Sequence, residues 1–268
     1  MIKNPISRHA GFTLIELIAV LVILGIVAGI GSKFLVSTVD SYDAVQKRSK
    51  LVNKGRLVIE QITRQIRLAL PNSVRVSGTG NCVEFMPVVA GTNYLSAVPD
   101  AQNGVAATTT INTAPFTLGL GSANHVAVGA LDNTEVYATG SPNARVGLAS
   151  LVGAGPYTGV NLSSSHRFIR NSVSERIFIA DDPIRFCLIG TTLLQYSGYG
   201  LLTTALTDSA PGSGATTVMA EAIGTSVQAF TLSPGTEDVN TALSVSLNFS
   251  QNDQQATFTQ DILVRNVP

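Results

Sequence analysis

The chain has 268 residues, 45% of them hydrophobic and 13% charged, with 17 basic and 17 acidic side chains in balance. That composition excludes a disordered polyelectrolyte, and it excludes a general nucleic-acid binder, which needs a basic excess to release counterions. Two cysteines and three histidines exclude a disulfide-dense mini-domain and a metal site built from four cysteines, and the absence of tryptophan argues against an aromatic stacking platform.

The first element is an apolar helix. From Phe12 to Gly31 there are 20 residues with a single charge, Glu16. At 1.5 Å per residue such a helix spans about 30 Å, one bilayer core. A mean hydropathy of +0.29 is high for a soluble globule. Lys3 and Arg8 precede the run and no acid does, so this end is expected on the cytoplasmic side and the rest exported. A secretory signal peptide is the alternative. The run exceeds its usual hydrophobic stretch, and no small-residue cleavage site closes it before Lys33. A carboxylate in such a helix costs about 2.5–3.5 kcal/mol on insertion scales, so Glu16 needs a partner. A cut just before Phe12 would create an α-amino group one helical turn from Glu16. The amine of a neighbouring subunit would serve equally well.

Gly11-Phe12-Thr13-Leu14-Ile15-Glu16-Leu17 after a short basic leader resembles the type IV prepilin cleavage and methylation motif. The resemblance implies cleavage between Gly11 and Phe12 by a prepilin peptidase and N-methylation of Phe12. It also implies transfer of the helix from the lipid bilayer into a filament, with Glu16 neutralising the terminal amine of an adjacent subunit. Removal of the first 11 residues would leave 257, with 15 basic against 17 acidic side chains. Gly25 and Gly29 form a GxxxG in the membrane half, read either as ordinary membrane-helix glycines or as a close-packing or weak point. Between Phe12 and Leu70 there is no proline, so no proline kink is expected.

Helical periodicity continues to Leu70. Val45, Leu51, Val52, Val58, Ile59, Ile62, Ile66 and Leu70 recur at three- and four-residue steps. Lys47, Arg48, Lys50, Lys54, Arg56, Arg64 and Arg67 lie opposite, as a solvated face or as a contact for anionic headgroups or acids of a neighbouring pilin. Pro71 stops the helix, so Phe12–Leu70 is predicted as one helix of about 88 Å. Beyond Pro71 the period changes to two. Strands are predicted at Ser73–Val76, Cys82–Val89, His125–Val128, Arg176–Ile179, Ile184–Ile189, Leu193–Tyr196, Val227–Leu232, Leu243–Phe249 and Ala256–Val264. Gly190-Thr191-Thr192 reads as a hairpin tip. Ala90–Ala123 and Leu201–Thr217, rich in Ala, Gly and Thr, read as surface loops or weak strands.

Cys82 and Cys187 fall on separate predicted strands. On an oxidising export side, an even count of two suits one bridge closing a loop of about 105 residues; two buried free thiols are the alternative. No CxxC redox pair occurs. A Ser/His/Asp hydrolase would have to use His125, at a strand start, or His166, in a loop after three serines, and no GxSxG accompanies either. Asp181-Asp182-Pro183 reads as a turn with solvated acids, because one acidic pair does not make a six-ligand calcium site. There is no Gly-rich phosphate loop. The expectation is therefore a non-enzymatic chain with no cofactor, no metal and no nucleic-acid partner.

The stretch Glu60–Val76, with Cys82-Val-Glu-Phe-Met-Pro87 and Ile184-Arg-Phe-Cys-Leu188, resembles MshO-type minor pilins of mannose-sensitive haemagglutinin (MSHA) pilus systems, relatives of the type II secretion pseudopilin J. The resemblance implies an α+β type IV pilin fold, a long N-terminal helix packed on an antiparallel β-sheet domain. It divides the chain into a removed leader (1–11), a transmembrane and filament-core helix (12–32), an amphipathic stem (33–70) and an exported β-rich domain (71–268). Expected partners are prepilin peptidase, other major and minor pilins and the inner-membrane assembly platform. The expected location is the inner membrane and then the pilus at the cell surface. A pseudopilin of a secretion-system tip and a pilus-borne adhesin are the alternatives.

Overall fold

The computed structural model describes residues 11–224, 228–233, 240–251 and 254–264. One long helix, α1 (Leu14–Ile66), opens the described chain. It is long and apolar enough to cross a membrane. The chain falls into two compact units that divide after Lys50. In the first unit the apolar side chains from Phe12 to Val45 are exposed, as a segment awaiting lipid or other helices would be. The second unit begins at Leu51 and contains the C-terminal part of α1 together with all the strands.

Among the described residues fifteen strands follow, in chain order. They are β1 (Arg75–Val76), β2 (Cys82–Phe85), β3 (Val88–Asn93), β4 (Thr108–Phe116) and β5 (His125–Ala127). A short helix, α2 (Asn133–Tyr137), precedes β6 (Arg145–Val152), β7 (Tyr157–His166), β8 (Arg176–Ala180), β9 (Ile184–Ile189) and β10 (Thr192–Ser197). The last are β11 (Ala215–Ala220), β12 (Ile223–Gly224), β13 (Phe230–Ser233), β14 (Thr241–Gln251) and β15 (Gln254–Val264). Strands β1-β2-β9-β10-β11 form a five-stranded sheet, and β14 carries β15 on one side and β12 and β13 on the other. The order β3-β8-β5-β6-β7-β4 forms a six-stranded sheet, whose outer strands meet where Tyr94 bridges Thr113. All ladders within the three sheets are antiparallel.

Leu51, Gly55, Val58, Ile62 and Ile66 are the buried positions of α1. Their three- and four-residue spacing keeps them on one face. The aliphatic members pack with Val83 and Phe85 of β2, Phe186 of β9 and Leu243, Val245, Leu247 and Phe249 of β14. Each fully buried aliphatic side chain contributes about 1.5–3 kcal/mol. Gly55 interrupts this face for a steric reason: a Cβ there would lie 2.1 Å from Cε2 of Phe258. The Phe258 ring occupies the space a side chain would take and meets Phe249 edge-on at 5.9 Å. The architecture is thus α+β, a long N-terminal apolar helix packed on antiparallel sheets, consistent with the type IV pilin fold.

Three expectations change. The helix ends at Ile66 rather than Leu70, because residues 68–70 leave it to pair with the segment after β2. Leu70 N–H donates to Met86 O and Val88 N–H to Leu68 O, each at 2.7 Å. A single sheet on the stem becomes three sheets. The six-stranded one has its own core around Val126, Val160, Phe168, Ile177 and Ile179. Strands β6 and β7 lie where no strand was expected, whereas β4 fits the weak-strand alternative for Ala90–Ala123. In β6 the apolar alternation changes phase at Ala149-Ser150, where the ladder shifts register, and in β7 it gives way to Ser163-Ser164-Ser165. Residue 227 of the expected Val227–Leu232 strand lies outside the described residues.

A buried ionic cluster organises the first sheet. Arg75, Glu84 and Arg185 face one another across β1, β2 and β9, since Arg75 pairs with Glu84 and Glu84 with Arg185 in the ladder register. Glu84 is fully buried. It accepts from Arg75 Nε at 2.6 Å, from Arg185 Nη2 at 2.9 Å and from the Tyr199 hydroxyl at 2.8 Å. The spare guanidinium N–H groups reach the carbonyls of Leu202, Thr204 and Ser209. A charge buried in this way persists only when its lone pairs are filled.

Candidate functional site

The residues singled out at the N-terminus lie where α1 begins. Thr13 precedes the first helical residue, and Leu17 N–H donates to Thr13 O at 3.2 Å to close the first turn. Glu16 N–H donates to Thr13 Oγ1 at 3.3 Å. In return Glu16 Oε2 accepts from Thr13 N–H at 3.4 Å and from the Thr13 hydroxyl at 3.3 Å. This reciprocal Thr-x-x-Glu pattern is a capping box, which satisfies amide groups the first turn leaves unpaired. It also places a carboxylate at the positive end of the helix dipole. Glu16 is therefore held within one turn of Phe12, with its carboxylate turned toward the chain's N-terminal side.

Gly11 and Phe12 sit before the helix and are exposed. A Cβ at Gly11 would meet no atom within 4 Å, and the same holds at Gly25, Gly29 and Gly31. Nothing in the fold of the chain itself demands glycine at these positions. A requirement for Gly11 must come from whatever acts on the chain.

Residues 6–32 match the prokaryotic N-terminal methylation motif. The match covers the Gly11–Leu17 segment and the apolar helix behind it. It supports a type IV pilin- or pseudopilin-like subunit, a structural role, processing by prepilin peptidase and assembly with other pilins. One N-terminal apolar helix bearing this motif fits a membrane-anchored pilin. No curated protein and no solved structure matches the chain. The leader charges Lys3 and Arg8 lie outside the described residues.

The remaining sequence-predicted residues fall in the strand-rich unit. Cys82 and Cys187 form a disulfide across β2 and β9, with Cα atoms 4.1 Å apart and directly paired in register. Bridging a separation of 105 residues stabilises by about 4–5 kcal/mol in the chain-entropy account. His125 begins β5 and is nearly buried. Its Nε2 bonds Asp182 Oδ1 at 2.8 Å and its Nδ1 lies 3.2 Å from Arg145 Nη1. His166 is not in a loop. It is the last residue of β7, 1% exposed, and it donates from Nε2 to Asn143 O at 2.9 Å. The imidazole partners are thus a carboxylate, a guanidinium and a main-chain carbonyl, with no serine hydroxyl among them.

The acids at 181–182 are also engaged rather than merely solvated. Asp181 accepts from Ser122 N–H and Asn124 Nδ2, and Asp182 holds His125. Among the described residues no group of three His, Cys, Asp or Glu side chains is arranged to hold a metal ion. Of the expected basic face, Lys54 reaches Glu221 O at 2.7 Å, while Arg56, Arg64 and Arg67 are exposed. Sequence reasoning missed the capping role of Thr13, the ring over Gly55 and the Glu84 cluster. Each had a signal: Thr-x-x-Glu ahead of an apolar run, a glycine inside a helical stripe, and a lone acid in an otherwise apolar strand.

Proposed function

We propose that this chain is a minor pilin of an MSHA-like type IV pilus. Prepilin peptidase cuts it between Gly11 and Phe12, and the new Phe12 amine is methylated. The helix of residues 12–32 anchors it in the inner membrane, with the amphipathic stem (33–70) and the β-rich domain (71–268) on the periplasmic side. It then enters the filament with other pilins through the inner-membrane assembly platform and initiates or caps a surface pilus used in attachment. Glu16 neutralises the amine of an adjacent subunit during assembly.

The observation that supports this reading is the methylation motif at residues 6–32, set on an exposed apolar helix with Glu16 at its first turn. The MSHA assignment rests on the resemblance in Glu60–Val76, Cys82–Pro87 and Ile184–Leu188. A type II secretion pseudopilin J-like tip subunit shares the same N-terminal chemistry and is the reading that competes with it.

Intact mass and N-terminal analysis of the membrane-extracted chain, with and without prepilin peptidase, tests the proposal. A chain beginning at N-methylated Phe12 only when the peptidase is present supports it. A chain beginning at Met1 in both, or cut after Gly31, refutes it. Recovery in sheared surface pili, as opposed to retention with a secretion complex, separates the two subtypes.

A further inference from the structure

His125 stands between two groups of opposite charge. From β6, Arg145 Nη1 approaches Nδ1 at 3.2 Å; from the segment after β8, Asp182 Oδ1 approaches Nε2 at 2.8 Å. Arginine can only donate and an ionised aspartate can only accept. The ring must therefore be neutral, with Nδ1 accepting from Arg145 and the proton on Nε2 donating to Asp182. The imidazolium would aim an N–H at an N–H, beside a like charge.

Arg145 carries this arrangement into α2. Its Nε donates to Val136 O at 2.7 Å and its Nη2 to Ala138 O at 2.9 Å, so one guanidinium ties the C-terminal end of α2 to β5. Three further titratable groups surround the pair: Asp181 lies beside Asp182, Tyr137 of α2 interacts with Arg145, and so does His166 at the end of β7. Asn133, Thr134, Tyr137 and Ala138 in turn line a cleft of about 710 Å³ together with Arg75 and Ser77, and the Arg75 guanidinium stacks on the Tyr137 ring at 3.6 Å.

We propose that His125 is a proton-operated latch: its neutral ring joins Asp182 to Arg145, and its protonation frees Arg145 from β5 and loosens α2 at the wall of the cleft. Burial disfavours the charged ring, Asp182 opposes that effect and Arg145 adds to it, so the histidine titrates below its ordinary range. The latch is closed at neutral pH and opens on acidification.

Hydrogen exchange of the full-length chain in detergent micelles, followed by mass spectrometry from about pH 8 to about pH 4.5 across the histidine range, tests this. After correction for the chemical exchange rate, protection over residues 132–140 should fall about tenfold on acidification, the order expected for one lost hydrogen bond. His125→Gln should abolish that pH dependence, and His166→Gln should keep it. Asp182→Asn retains an acceptor but removes the charge that favours the imidazolium, so the transition should move to lower pH. A wild-type chain with pH-independent protection, or a His125→Gln chain with the same fall, overturns the proposal. If His125→Gln does not fold, an unmoved transition in Asp182→Asn overturns it instead.

Discussion

Replacing Gly55 with alanine should destabilise the strand-rich unit, although alanine is the better helix former. Inside a helix the exchange by itself gains about 1 kcal/mol. Here the new Cβ would stand 2.1, 2.5 and 2.7 Å from three carbons of the Phe258 ring, well inside contact distance. The ring must move, and it is held edge-on against Phe249 at 5.9 Å. Overpacking of this kind costs about 1–3 kcal/mol, and loss of the aromatic pair adds about 0.5–1.5 kcal/mol. The net expectation is a loss of roughly 1–3 kcal/mol. The decisive comparison is a double-mutant cycle with Phe258→Ala, which empties the space over Gly55. In that background Gly55→Ala should change sign and stabilise by roughly 0.5–1 kcal/mol. Urea unfolding of the full-length chain in detergent, followed by far-UV circular dichroism, measures all four corners. If Gly55→Ala stabilises the wild type, or has one effect in both backgrounds, the steric account of this glycine fails.

Gly11→Ala should leave the fold unchanged, because nothing lies within 4 Å of the added carbon, yet block processing; a variant that migrates as the wild type does after peptidase treatment counts against the cleavage assignment. Glu16→Leu should be processed normally but incorporated poorly into filaments, and equal incorporation in sheared pili would remove the proposed amine pairing. Glu84→Gln leaves Arg75 and Arg185 buried without an acid and should cost about 3–5 kcal/mol in chemical denaturation, whereas a change under about 1 kcal/mol would mean that the guanidiniums find other partners. Burial holds His125 and His166 below the ordinary histidine pKa, with Asp182 and the Asn143 carbonyl opposing it and Arg145 adding to it. The unfolded chain therefore binds more protons, so this contribution to stability is complete above about pH 6.5 and is lost as pH falls from there through the depressed folded values. Unfolding midpoints that hold steady or rise over that interval in the wild type, relative to a His125→Gln/His166→Gln chain, would contradict the sign.

The helix was the most legible part of the sequence. Its apolar run, its stripe from Leu51 to Ile66 and the motif at Gly11–Leu17 are local patterns that need no tertiary context. The strands with apolar alternation, such as Ile184–Ile189 and Leu243–Phe249, were legible for the same reason. What escaped was set by partners distant in sequence. Helix α1 ends at Ile66 because Met86 and Val88 offer better backbone partners to residues 68–70, and proline spacing does not report that. Strand β4 opens on three threonines and β7 runs through three serines before His166, and they are strands because β4 pairs with β7 and β7 also pairs with β6. His166 looked like a loop residue beside three serines, and its burial depends on the core that those strands enclose.

Strands β2 and β9 carry two specifiers on the same side. Cys82 and Glu84 lie two residues apart on one strand, and Cys187 and Arg185 oppose them on the other. Val83, Phe85 and Phe186 project from the alternate positions into the core under α1. A slip of one residue would turn Glu84 toward those apolar side chains and carry each cysteine away from its partner. The two strands meet only after about a hundred intervening residues have been brought together, a late and entropically costly encounter. Oxidation then makes a correct encounter durable: a chain that pairs out of step cannot close the bond, and one that pairs in step cannot easily lose its place.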